Sequence, residues 1–212
     1  MSVGAKICGL STPETVDAAV AGGARFVGFN FYPPSPRYVS SNDGLKALGA
    51  RAPKSVTRVG LFVDPDDALL DERLATGAID LVQLHGKETP ERVAAIKART
   101  GKPVMKAFNV GAASDIERGI AAYATVADWL MFDAAVGILP GGNAKVFDWS
   151  FLSGRKIPLP WLLAGGLTPD NVADAVRVTG APAVDVSSGV ESSRGVKSID
   201  LIRAFLDRVK GL

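Results

Sequence analysis

DLVQLHGKETPERVAAIKART, residues 80–100, holds a strand, a polar loop and a helix in a single stretch. The apolar run DLVQL suits a buried strand. Thr89 then offers an N-cap oxygen, Pro90 fits the first helical position, and apolar residues recur at three and four from Pro90 to Arg99. The unit repeats along the chain. The runs AKIC, FVGFNF, TRVGLFV, DLVQL, PVMKAF, WLMF, WLLA and AVDVSS give eight strand candidates. The segments Pro13 to Ala21 and Pro169 to Val178 share the helical period of Pro90 to Arg99, with Thr12 and Thr168 as their N-caps. Spread over 212 residues, eight units take about 26 residues each, near the minimum for a (β/α)8 barrel and more regular than most open sheets. The expected fold is therefore α/β, a single parallel eight-stranded (β/α)8 barrel over residues 1–212.

Composition agrees with one domain. At 47% hydrophobic, the chain can bury a single core of this size. Lys and Arg total 24 against 22 Asp and Glu, with no basic block to track a phosphate backbone, so no nucleic-acid partner is expected. No apolar run reaches the roughly 18 to 20 residues that span a bilayer, and the N-terminus lacks a signal-peptide pattern. The expectation is a cytoplasmic protein with no membrane partner. One cysteine, Cys8, and one histidine, His85, exclude an internal disulfide and argue against a zinc site, so no metal is expected.

In such a barrel the loops after the strand C-termini form the active face. Here they carry Cys8-Gly9, YPPSPRYV, Asp64, His85-Gly86, Asn109, Asp133, Ala164-Gly165-Gly166 and Ser187-Ser188-Gly189. Gly165, Gly166, Ser187, Ser188 and Gly189 follow the last two strands, where backbone N–H groups of small residues can hold a phosphate without help from a lysine or arginine. Ordinary turn chemistry explains either pair alone. The side-chain period of a strand pairs Lys6 with Cys8, Gln83 with His85, Lys106 with Phe108, Met131 with Asp133 and Asp185 with Ser187, and sends the polar groups inward. Lys6 then favours a Cys8 thiolate, or Lys6, Lys106 and Asp185 form a buried structural ion network. Cys8 by type alone is a small packing residue, and Arg37 alone is a surface arginine stiffening a proline-rich loop. The stretch AAVGILPGGNAKVFDWSFLSG after the sixth strand reads as a long glycine-rich loop ending in one short turn.

The segments KICGL, GFNFYPPSPRYV, VGLFVD, VQLHGKE, FDA, FDW, LAGGLTPDNV and VDVSSGVE together resemble the phosphoribosylanthranilate isomerase family, in order and over nearly the whole chain. The resemblance implies an Amadori rearrangement of N-(5'-phosphoribosyl)anthranilate in tryptophan biosynthesis, with no metal or organic cofactor. It implies Cys8 as general base, Asp133 as general acid and Arg37 as the donor fork for the anthranilate carboxylate, with His85 and Asp185 lining the substrate. A thiol with a pKa near 8.5 is mostly protonated at neutral pH, so the base role asks the site to lower it, and the acid role asks the site to keep a proton on Asp133. Two departures stand out. Asn143 lies in GGNAKVFDW where the family carries a GGTG-like run, and Ser198 replaces an aspartate expected to cap the last helix, which serine caps nearly as well. The rival readings are a histidine-pathway barrel, which uses aspartate where Cys8 stands, and a barrel that binds phosphate without catalysis. The partner is a small phosphorylated substrate, and the protein is expected to be a monomer or homodimer.

Overall fold

A computed structural model describes residues 2–134 and 148–212. Eight parallel strands close into a barrel in chain order: β1 (Gly4–Cys8), β2 (Phe26–Asn30), β3 (Thr57–Phe62), β4 (Leu81–Leu84), β5 (Val104–Val110), β6 (Trp129–Ala134), β7 (Trp161–Leu163) and β8 (Ala183–Val186). The ring closes where β1 pairs with β8, with Lys6 opposite Asp185. Each strand falls on one of the eight apolar runs. The segment 135–147, which contains Asn143 and most of the long loop, lies outside the described residues; the short turn beyond it is a 3-10 helix, Trp149–Leu152.

Helices α1 (Pro13–Ala21), α2 (Asn42–Arg51), α3 (Asp67–Leu74), α4 (Pro90–Thr100), α5 (Ala113–Tyr123), α6 (Val172–Thr179) and α7 (Ile199–Lys210) pack outside the ring. The threonine caps hold for α1 and α4, where Thr12 and Thr89 accept from the amides of Thr15 and Arg92. The third does not. Asn171 accepts from the Thr168 amide at 2.8 Å and donates to the Gly166 carbonyl at 2.9 Å, which locks residues 166–171 as a turn and delays α6 to Val172. An asparagine side chain that closes its own turn competes with the helix for these groups. Ser198 does cap α7, accepting from the Leu201 amide. In α7, Ile202, Phe205, Leu206 and Val209 recur at the helical period and are all buried, so this face closes the barrel's N-terminal seam against α1.

The core has two layers. Phe26, Val59, Leu81, Met105, Ala107, Met131, Leu162, Ala164 and Ala183 fill the barrel interior, while a larger set lies between strands and helices. The alternation sends Lys6, Cys8, Gln83, Asp133 and Asp185 inward with their neighbours. Lys106 goes the other way. Met105 and Ala107 occupy the interior, so Lys106 joins Phe108 on the outer face, where it donates to Glu88 at 2.8 Å and to the Gly86 carbonyl at 2.8 Å. The expected network of Lys6, Lys106 and Asp185 is thus two separate pairs, because the phase of β5 puts Met105 and Ala107 inside and Val104, Lys106, Phe108 and Val110 outside. None of the described helices is long and apolar enough to cross a membrane.

Candidate active site

Cys8 ends β1 at the barrel mouth. Gly28 on the neighbouring strand makes room for it: a Cβ there would lie 3.1 Å from Lys6 Nζ and 3.2 Å from Cys8 Sγ. Lys6 is fully buried and donates to Asp185 Oδ1 at 2.7 Å. Burial works against the ammonium, but Asp185 and Cys8 outweigh it and push its pKa up, so Lys6 stays charged. Burial also pushes the Cys8 thiol above its ordinary 9.0; Lys6 opposes this and Asp185 reinforces it. Sequence parity left two readings of Lys6, as a cation favouring a Cys8 thiolate or as a member of a buried ion network. Burial is the largest influence on the sulfur and works against the thiolate, and the Lys6 charge that opposes it is shared with Asp185.

Asp133 enters the same mouth from β6, three strands round the ring from β1. His85 Nε2 stands 3.0 Å from Asp133 Oδ2, and His85 Nδ1 stands 3.0 Å from the amide nitrogen of Gln83. Both ring nitrogens are therefore engaged by protein. With Nδ1 accepting from Gln83, the neutral ring carries its proton on Nε2 and aims it at Asp133. Asp185 is likewise turned toward Lys6 and is 8% exposed, so its charge serves Lys6 first.

The two glycine loops meet at close range. Gly165 and Gly166 have φ of 89° and 66°, which side chains rarely adopt. A Cβ on Gly165 would lie 2.8 Å from Asp133 Oδ1, and one on Gly189 would lie 1.8 Å from the Leu167 carbonyl oxygen. Among the described residues, the amides of Gly165, Gly166, Ser188 and Gly189 donate to no protein oxygen. Four backbone donors of these two loops are thus left without a protein acceptor among the described residues. A cation from further along the chain also reaches this loop: Lys197 donates to the Ser187 carbonyl at 2.8 Å and to its hydroxyl at 3.2 Å.

Lys197 reaches Ser187 because residues after β8 double back as a short hairpin, β9 (Glu191–Ser193) and β10 (Val196–Lys197). Arg37 is tied to the same hairpin. Its Nε and Nη2 donate to the two Glu191 carboxylate oxygens at 2.5 and 2.7 Å. Glu191 and Lys197 were not singled out in the sequence. The glutamate was visible in VDVSSGVE, but nothing in its spacing from Arg37, 154 residues away, indicates the pairing. Among the described residues, no group of three or more His, Cys, Asp and Glu side chains is placed to hold a metal ion.

Comparison with known proteins agrees with this geometry. A family model described as N-(5'-phosphoribosyl)anthranilate (PRA) isomerase matches residues 5–208. The chain is 55% identical over 214 residues to the N-(5'-phosphoribosyl)anthranilate isomerase of Paramagnetospirillum magneticum, covering 100% of this chain and 99% of that protein. The fold superimposes on the crystal structure of phosphoribosyl anthranilate isomerase from Thermotoga maritima with a TM-score of 0.88 at 36% identity, over 99% of this chain and 100% of that one. A second crystal structure, of phosphoribosyl anthranilate isomerase in complex with reduced 1-(o-carboxyphenylamino)-1-deoxyribulose 5-phosphate, gives 0.85 at 35% identity over 99% and 100%.

Proposed function

The chain belongs to the N-(5'-phosphoribosyl)anthranilate isomerase family, and from that premise we propose how its own residues carry out the reaction. It is an isomerase of tryptophan biosynthesis, converting N-(5'-phosphoribosyl)anthranilate to 1-(2-carboxyphenylamino)-1-deoxyribulose 5-phosphate. The rearrangement opens the ribose ring and then moves a hydrogen from C2' to C1'. Asp133 gives its proton to the ring oxygen as the C1'–O bond breaks and the anilino nitrogen forms the Schiff base. Cys8, as thiolate, takes the C2' proton, and the electron pair runs into the C1'–nitrogen system to give the enolamine. Tautomerisation to the ketone completes the product, and a proton returned from Cys8 to Asp133 through solvent resets the site.

Burial pushes the Cys8 thiol up, so the thiolate forms with Lys6 beside it as the opposing charge. Arg37 takes the ring carboxylate through the donors that Glu191 leaves open, and the amides of Gly165, Gly166, Ser188 and Gly189 with Ser187 take the phosphate. His85 orients Asp133, and Asp185 holds Lys6 beside the sulfur. The observation that carries this reading is the 2.8 Å approach of the Gly165 Cβ position to Asp133 Oδ1, which sets the glycine loop directly against the acid. The enzyme works on this small phosphorylated substrate in the cytoplasm, as a monomer or homodimer. The test is the change in anthranilate fluorescence on adding phosphoribosylanthranilate to the purified protein, with Cys8→Ala as control. Turnover surviving in Cys8→Ala would remove the sulfur from the chemistry.

A further inference from the structure

Glu191 belongs neither to the acid and base pair nor to the glycine loops. Its side chain is only 4% exposed, yet its carboxylate accepts four hydrogen bonds: two from Arg37, one from Lys197 Nζ at 2.7 Å and one from the Gly195 amide at 3.0 Å. Burial opposes the charge, and these donors overcome it, holding the carboxyl at about 2. Among the described residues, two cations share this single carboxylate. One positive charge is therefore left for an incoming anion.

Arg37 is held on its other side as well. Gly9, at φ 76°, lets the arginine stem cross the backbone directly after Cys8, since a Cβ there would lie 2.4 Å from Arg37 Cδ. At the hairpin tip, a Cβ on Gly195 would lie 2.8 Å from Pro36 Cβ, so β9 and β10 are fitted against the proline-rich loop that carries Arg37. The pairing uses Nε and Nη2, which fixes the plane of the guanidinium and, among the described residues, leaves Nη1 without a hydrogen-bond partner.

The geometry points to Glu191 as the positioning residue for Arg37, fixing the direction in which its remaining donors meet the substrate carboxylate. This rests on Arg37 reading that carboxylate, so the test separates the two ideas. Steady-state kinetics are compared for phosphoribosylanthranilate and for the phosphoribosylaniline that lacks the carboxylate, in the parent enzyme, Glu191→Gln, Glu191→Asp, Arg37→Ala and the Arg37→Ala/Glu191→Gln double variant. Glu191→Gln raises KM for the carboxylated substrate by up to about 100-fold with kcat nearly unchanged, and moves the aniline substrate far less. Glu191→Asp, which keeps the charge on a shorter stem, falls between, and it carries the test if the glutamine variant does not fold. In the Arg37→Ala background, Glu191→Gln adds no more than about twofold, because the interaction it aims is already gone. Equal losses on both substrates that persist without Arg37 would make Glu191 a structural residue and overturn the proposal. Arg37→Ala striking both substrates equally would overturn the carboxylate role of Arg37 itself, and the positioning role with it. Selectivity lost in Arg37→Ala but kept in Glu191→Gln would overturn the positioning role alone.

Discussion

His85 Nε2 lies 3.0 Å from Asp133 Oδ2 while Gln83 occupies its Nδ1 at 3.0 Å, so the ring is clamped between β4 and β6 with both nitrogens in use. An imidazole held this way directs its neighbour and has no nitrogen left for the substrate. His85→Ala should therefore lower kcat by about 10- to 100-fold, through loss of aim at Asp133, with little change in KM. Steady-state kinetics decide it. A raised KM with kcat intact would make His85 a substrate contact.

The barrel was legible because every strand falls on a short, mainly apolar run and two of the three threonine-proline starts cap as read. Cys8, Asp133 and the glycine loops were legible for the same reason, since strand ends become the mouth once the fold is known. What the sequence hid is long-range electrostatics. The phase of β5, which takes Lys106 outward to Glu88, depends on how Met105 and Ala107 pack in the interior, and the alternation alone is symmetrical between the two choices. The Arg37 to Glu191 pair and the return of Lys197 to Ser187 both depend on a seven-residue hairpin whose strands are too short to leave a periodic signal.

Gly189 and Gly77 separate close approach from backbone strain. A Cβ on Gly189 would run into the Leu167 carbonyl, forcing the two glycine loops apart, whereas one on Gly77, at φ 70°, would meet nothing within 4 Å. Gly189→Ala should weaken binding of a reduced product analogue by more than about tenfold, since the phosphate donors sit on both loops. Gly77→Ala should cost about 1 kcal/mol of stability through its left-handed backbone and leave that affinity alone. Calorimetric titration reads both. Unchanged affinity in a folded Gly189→Ala protein would move the phosphate elsewhere.

The Glu191 carboxyl is held at about 2, below its ordinary 4.5, so the native state keeps it ionised where the unfolded chain would protonate it. A depressed carboxyl contributes stability that is complete above the unfolded value and is lost as pH falls toward the folded one. The parent protein should therefore exceed Glu191→Gln in urea midpoint at about pH 6, and the gap should close as pH drops from about 4.5 to about 2. A gap that did not change over that window would show that the glutamate contributes by shape alone.

Cys8 faces the hardest requirement, since burial raises its thiol above 9.0 while the reaction needs a thiolate. With Asp185 already neutralising Lys6, the free enzyme should alkylate slowly with iodoacetamide at neutral pH and faster only as the pH climbs past the ordinary thiol range. Removing the cation should slow it further: Lys6→Met leaves burial and Asp185 acting together, and both push the thiol up. In turnover, the base must be ionised while the acid is protonated, so kcat/KM should follow a bell whose limbs belong to the coupled pair of Cys8 and Asp133. Cys8→Ser keeps the shape of the site and replaces the sulfur with a hydroxyl far too weak to take the C2' proton. It should lower kcat by at least about 100- to 10,000-fold and leave affinity for the reduced product analogue nearly intact, because the sulfur acts in the transition state and not in ground-state binding. A Cys8→Ser enzyme with near-normal turnover would return the sulfur to the packing role that its burial alone suggests.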